Sequence, residues 1–183
     1  MLVIIAILVA ILVPVTSSAR RSAQIQDSVQ HLRQLYLNLQ TYRADADGSD
    51  TTFESYYTLG LPPAQLERGP IYLQNSALLK SPCGAIRSAF ETSGYSLQLG
   101  HIDPVFVLFD PLLGPQQPKE FREHLATHRE NSVMFTDVNC NSPDTNLADP
   151  YSTKRGVAVL FSGRLVNKVG RGTASALGWY SAP

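Results

Sequence analysis

The sequence has no excess of either charge. Among 183 residues, 15 lysines and arginines face 15 aspartates and glutamates, so the formal net charge is zero. A protein that grips nucleic acid needs a basic face, and no such footprint follows from these totals; nucleic acid is not an expected partner. Charge of any sign is also scarce, at 16% against roughly 25% in ordinary soluble domains, while 44% of residues are hydrophobic. That balance provides a sizeable core and excludes global disorder. The length allows one domain of roughly 150 residues plus something extra, too little for most large enzyme architectures. Gly-x-Ser-x-Gly, phosphate-binding Gly-Lys-Ser/Thr and Cys-His nucleophile arrangements are all missing. Gly170-Arg171-Gly172, followed by Ser175, fails the dinucleotide pattern at its third glycine. No catalytic residue is expected, and the protein reads as a non-enzyme.

The most telling absence is at the amino terminus. Met1 to Val15 carries no polar side chain, and the first charge is Arg20. As a helix this run would be roughly 22 Å long against a hydrocarbon core of about 30 Å, too short to span unaided. A signal peptide would supply an apolar core, the breaker Pro14 and Ser17-Ser18-Ala19 as a small-residue cleavage site, but the basic stretch that should open it is missing. Proline and glycine are then absent from Val15 to Asp47. Ile25, Val29, Leu32, Tyr36 and Leu39 recur at spacings of 4, 3, 4 and 3, which predicts an amphipathic helix. Asp45-Ala46-Asp47-Gly48 closes it with glycine at a plausible C′ position. The expectation is one rod with two environments: an apolar half over 1–19 and an amphipathic half over 20–47, followed by a head over 48–183.

The run Leu2-Val3-Ile4-Ile5-Ala6-Ile7-Leu8-Val9-Ala10-Ile11-Leu12-Val13-Pro14, followed by Ser18-Ala19-Arg20-Arg21, resembles the amino-terminal helix of type IV pilins and type II secretion pseudopilins. In that family a basic leader ends in Gly, and cleavage exposes Phe-Thr-Leu-Ile-Glu before the apolar run. Neither motif is present here, as though Met1 were the residue after the family's Glu, so the cleavage and methylation residues are not carried over. The expectation is that about five residues belong upstream, which would bring the run to the roughly 20 needed to span. The resemblance implies a structural subunit anchored in the bacterial inner membrane, its head in the periplasm or, after assembly, at the cell surface. It further implies copies of itself and related pilin-like subunits, inner-membrane assembly machinery, prepilin peptidase and the lipid bilayer as partners. Leu2, Val3, Ile4, Ile5, Ile7, Leu8, Ile11 and Leu12 would serve membrane and filament contacts, with Pro14 a kink. Arg20 and Arg21 alone would put the head inside by the positive-inside rule; the family leader, which supplies the opposing charge, argues for an outside head. A non-polymerising anchored periplasmic binding protein, or a secreted protein with Met1 to Ala19 removed, are the alternatives.

The head reads as an α+β fold in which the long helix packs on a mostly antiparallel sheet, pilin-like in outline. Ile71 to Lys80 could be a short helix or an extended segment. Tyr95 to Leu99 alternates as a half-buried strand, and Val105 to Phe109 and Val133 to Phe135 resemble buried strands. Val157 to Phe161 and Arg164 to Val169, split by Ser162-Gly163, read as a hairpin with a two-residue loop.

Candidate chemistry is sparse. Glu120, His124 and His128 fall at i, i+4 and i+8 on one helix face, where His-x-x-x-His can bind zinc; exposed histidines are the plainer reading. Asp45 to Asp50 with Glu54 is similar to the start of a calcium loop, but its glycine comes two positions early, and an acidic helix end is the plainer account. A later acidic stretch offers Asp137, Asp144 and Asp149 as calcium ligands, some major pseudopilins holding calcium in a loop near the carboxyl end. No other cofactor is expected. Cys83 and Cys140 are either a disulfide, closing about 58 residues and adding roughly 4 kcal/mol, or two separately buried thiols. Trp179 and Tyr180 would cover the sheet or face a neighbouring subunit.

Overall fold

The computed structural model describes residues 2–46, 76–84, 100–105, 117–142, 145–147, 149–173 and 177–181. The predicted strand at Tyr95 to Leu99, positions 106–109 of the predicted strand beginning at Val105, and Gly48 to Glu54 lie outside them.

Helix α1 spans Leu2–Ala46 without interruption, 45 residues and about 68 Å of rod. Asp47 and Gly48 of its predicted carboxyl end lie outside the described residues. Its two halves behave differently. Side chains from Val15 to Ala23 are exposed on every face of the helix. From Ile25 onward one stripe is buried: Ile25, Ser28, Leu32, Leu35, Leu39 and Tyr42, at alternating steps of three and four. Val29 and Tyr36, assigned to the stripe from sequence, sit at its half-buried edge instead. The stripe therefore runs through Leu35 and, against hydropathy, through Ser28.

That stripe lies on a four-stranded antiparallel sheet, in the order β1 (Asp103–Pro104), β2 (Val133–Asp137), β3 (Lys154–Leu160), β4 (Leu165–Gly170). Short helices α2 (Ser76–Leu79) and α3 (Gln117–His128), a 3₁₀ turn over Arg129–Asn131 and a last helix α4 (Leu177–Ser181) complete the described elements. Every residue of β2 is buried, and all of β3 except Arg155. Strands buried on both faces need a cover on each. Alternation fixes the faces: Asp137 points to α1, where it meets Ser28, and Thr136 points away, donating its hydroxyl to Tyr180 on α4 at 2.7 Å. Gly156 and Ala158 share the Thr136 face. They are small because an aromatic pair rests there: a Cβ on Gly156 would lie 2.4 Å from the Tyr180 hydroxyl and 2.7 Å from the Trp179 ring.

Between β3 and β4 the loop is longer than its Ser-Gly signature. A two-residue loop of the primed type needs positive φ at its centre, and here only Gly163, at +82°, has it. Gly163 N–H donates to Leu160 O at 2.8 Å and Leu160 N–H to Arg164 O at 2.9 Å, a three-residue loop of 161–163 with glycine in the left-handed position. The tip docks on α1: Tyr36 donates to Phe161 O at 3.4 Å, and the Arg43 guanidinium lies 4.6 Å from the Phe161 ring centre. One expectation needs correction beside β1. The strand itself is two residues long and contains a proline, too little pattern to read, and Val105 is buried in helical conformation rather than in a strand.

Candidate functional site

Asp137 ends β2 fully buried, and it receives hydrogen bonds from three separate stretches of chain. Ser28 of α1 and Ser81, just after α2, each donate a hydroxyl to Oδ2 at 2.7 Å. The main-chain N–H and side-chain amide of Asn139 both donate to Oδ1 at 2.9 Å. All four donors are neutral, so the carboxylate is solvated by dipoles without a countercharge from them. Beside it Cys83 and Cys140 form a disulfide, with Cα atoms 5.0 Å apart across 57 positions; the pairing left open by the sequence is made. Cys140 Sγ lies 3.9 Å from Asp137 Oδ2. A disulfide sulfur carries no proton, so this is a contact and not a hydrogen bond.

The residues after Asp137 work as substitutes for backbone. Asn139 accepts from Gly100 N–H at 2.7 Å and donates to His101 O at 2.8 Å. Asn141 accepts from Arg155 N–H and donates to Arg155 O, both at 2.7 Å, and also donates to Val138 O. Their amides extend the sheet where β2 has stopped pairing through its main chain. Alongside runs an open groove of about 400 Å³ between α1 and the cysteine turn, lined by Asp27, Gln30, His31 and Gln34 on one wall and Lys80 and Pro82 on the other.

Of the three calcium candidates, Asp137 and Asp149 lie among the described residues, and each accepts hydrogen bonds from the protein itself. Among the described residues, the three-ligand group with donor atoms within 4.8 Å of one another is Cys83, Asp137 and Cys140. Asp144 lies outside the described residues. Asp149 Oδ1 accepts from Tyr151 N–H at 2.9 Å, and its main-chain oxygen accepts from the Lys154 ammonium, which also donates to Gly172 O at 2.7 Å. Lys154 is 1% exposed. Burial lowers its pKa below the usual lysine value, opposed by the nearby Asp149 charge. Its ammonium thus joins the 149–153 loop to the loop after β4 from inside.

His124 and His128 share one face of α3, with ring centres 4.6 Å apart, but His124 is not the exposed residue expected. It is buried, and its Nε2 accepts the Val133 N–H at 3.3 Å. Burial, with the neighbouring His128 as a smaller cause, lowers its pKa from 6.5 to about 4. A nitrogen engaged to β2 is not free to take zinc.

Among the described residues, no helix is long and apolar enough to cross a membrane. No protein-family model, curated protein or solved structure matches the chain.

Proposed function

We propose that this protein is a membrane-anchored, pilin-like or pseudopilin-like structural subunit that assembles into a filament. The observation that carries this reading is the split along α1. The helix is continuous from Leu2, its carboxyl half is seated on the sheet, and Val15 to Ala23 is exposed all round. The head's hold on the helix therefore begins near Ile25, and a rod leads away from it toward the apolar run. Ten Leu, Ile and Val residues lie between Leu2 and Val13. Each gains roughly 1.5–3 kcal/mol on leaving water, so together they outweigh the whole stability of an ordinary domain, about 5–15 kcal/mol. A segment of that kind needs lipid, or equivalent segments of other copies, around it. Inner-membrane retention followed by packing of half-helices at a filament centre satisfies both demands in turn, the heads forming the outer layer. The helical state of Thr16 to Ala19 favours this reading over removal of the run as a signal peptide.

The test is Ile7→Asp and Ile11→Asp in the full chain, scored by membrane fractionation and by incorporation into filaments, with thermal unfolding confirming that the head is intact. Loss of both retention and incorporation is expected; normal assembly of either variant overturns the reading. Mass spectrometry of the mature amino terminus separates the routes. A methylated Phe upstream of Met1 fits the pilin pathway, and an end at Arg20 means secretion.

A further inference from the structure

A disulfide is opened by a thiolate that attacks one sulfur and expels the other as a thiolate, so access to the first and departure of the second both set the rate. In this protein the two are set against each other. Cys140 is 2% exposed, and packing shuts off attack there. Cys83 is half-buried with exposed Gly84 beside it, and is the sulfur that an incoming thiol can reach. Attack on Cys83 must expel Cys140, whose sulfur lies 3.9 Å from Asp137 Oδ2. The leaving charge therefore develops beside a carboxylate, which disfavours a thiolate. Ser28, Ser81 and Asn139 hold that carboxylate through four hydrogen bonds; being neutral, they fix its position without cancelling its charge. Both sulfurs and a carboxylate oxygen lie within 4.8 Å of one another, so the approaching thiolate is repelled as well.

We propose that Asp137 is a kinetic lock on the Cys83–Cys140 bond, closing it to thiol–disulfide exchange while the head is folded. In the step it opposes, a thiolate bonds to Cys83 Sγ and the electron pair of the disulfide passes to Cys140 Sγ. A second thiolate then removes the first as a small disulfide, leaves Cys83 as a thiolate, and both cysteines take protons from water. Like charges about 4 Å apart at a partly buried site, with roughly half a charge developed in the transition state, slow such a step by about 10–100-fold. The bridge between the turn after α2 and the end of β2 thus persists among free thiols that would open the same bond in an unfolded chain. This holds whether or not the chain assembles into filaments.

The test follows reduction of the full oxidised chain in detergent by excess 2-mercaptoethanol, quenched with acid and alkylated, in native buffer and in concentrated urea. The native parent should react at least about tenfold more slowly than the unfolded parent, and native Asp137→Asn about tenfold or more faster than native parent. In urea the two should react alike. Ser28→Ala loosens the same junction but keeps the charge, and should stay close to the parent rate. Mass mapping of the trapped intermediate should find the mixed disulfide on Cys83. Should Asp137→Asn fail to fold, the parent alone suffices: cysteamine should outpace mercaptoacetate by a wider ratio on the native chain than in urea. An Asp137→Asn rate no faster than the parent's overturns the proposal. So does Ser28→Ala as fast as Asp137→Asn, a mixed disulfide on Cys140, or a cysteamine-to-mercaptoacetate ratio that is the same native and unfolded.

Discussion

Ser28 donates its hydroxyl proton to Asp137 at 2.7 Å, joining the buried stripe of the long helix to the end of β2 across 109 positions of sequence. Neither atom has access to water, since both residues are fully buried. Ser28→Ala removes one of four donors and leaves a charged acceptor under-solvated, which should cost about 1–3 kcal/mol. Asp137→Ala should cost more than Ser28→Ala, because it orphans Ser28, Ser81 and Asn139 together. Urea unfolding of the three proteins checks the order.

Reduction of Cys83–Cys140 opens a 57-residue connection and should lower stability by roughly 4 kcal/mol on the chain-entropy account. Paired unfolding curves with and without reductant, in metal-free buffer, measure this. A shift below about 1 kcal/mol would mean that the Asp137 hydrogen bonds hold the turn unaided.

Two glycines leave room for aromatic rings, Gly156 within β3 and Gly163 in the β3–β4 loop. At Gly163 any side chain meets both a left-handed backbone, φ +82°, and the Tyr36 ring 2.8 Å from its Cβ; at Gly156 the obstacle is Tyr180 and Trp179 alone. Both Gly→Ala variants should lose about 1–3 kcal/mol. Only Gly163→Ala should be partly restored by Tyr36→Ala, while Gly156→Ala should lower the melting temperature regardless of position 36.

His124 makes stability depend on acid. Its folded pKa of about 4 lies below the ordinary 6.5, so between those values the unfolded chain binds more protons. Stability then rises with pH across the window and is lost on acidification from 6.5 toward 4. The full change is on the order of 3 kcal/mol for a shift of this size. His124→Gln should flatten the curve of unfolding free energy against pH in that interval.

Lys154→Met deprives Asp149 O and Gly172 O of their shared donor and should destabilise by about 1–3 kcal/mol. Its sharper readout is local: trypsin should cut after exposed Arg171 faster than in the parent protein.

The long helix and the β3–β4 hairpin were legible because each repeats one physical demand over many residues. Ile25, Leu32 and Leu39 gave the helical period, and Val157 to Leu160 gave an unbroken apolar strand. Ser28 escaped because hydropathy places serine outside a core; only its partner 109 residues away explains its burial. Asp137 was read as a calcium ligand, since a carboxylate that gathers hydroxyl and amide donors looks the same in sequence as one that binds a metal. Lys154 opens β3 next to Arg155, ahead of the apolar run, and nothing local marks its ammonium as internal. The alternative at His124 fell to tertiary context, because a periodic helix face shows which residues are together and not what lies opposite. Pairing of Cys83 with Cys140 needed a Cα separation that sequence does not contain.

The link from Ser28 through Asp137 and on to the cysteine turn has a mechanical side. A pull along α1 would load that junction in shear, and the force would divide between the sheet through β2 and the covalent bridge through the neighbouring turn. A bare apolar seam would peel open one side chain at a time under such tension. Here several bonds must fail together, so the head should resist being stripped from its own helix when the rod is dragged lengthwise.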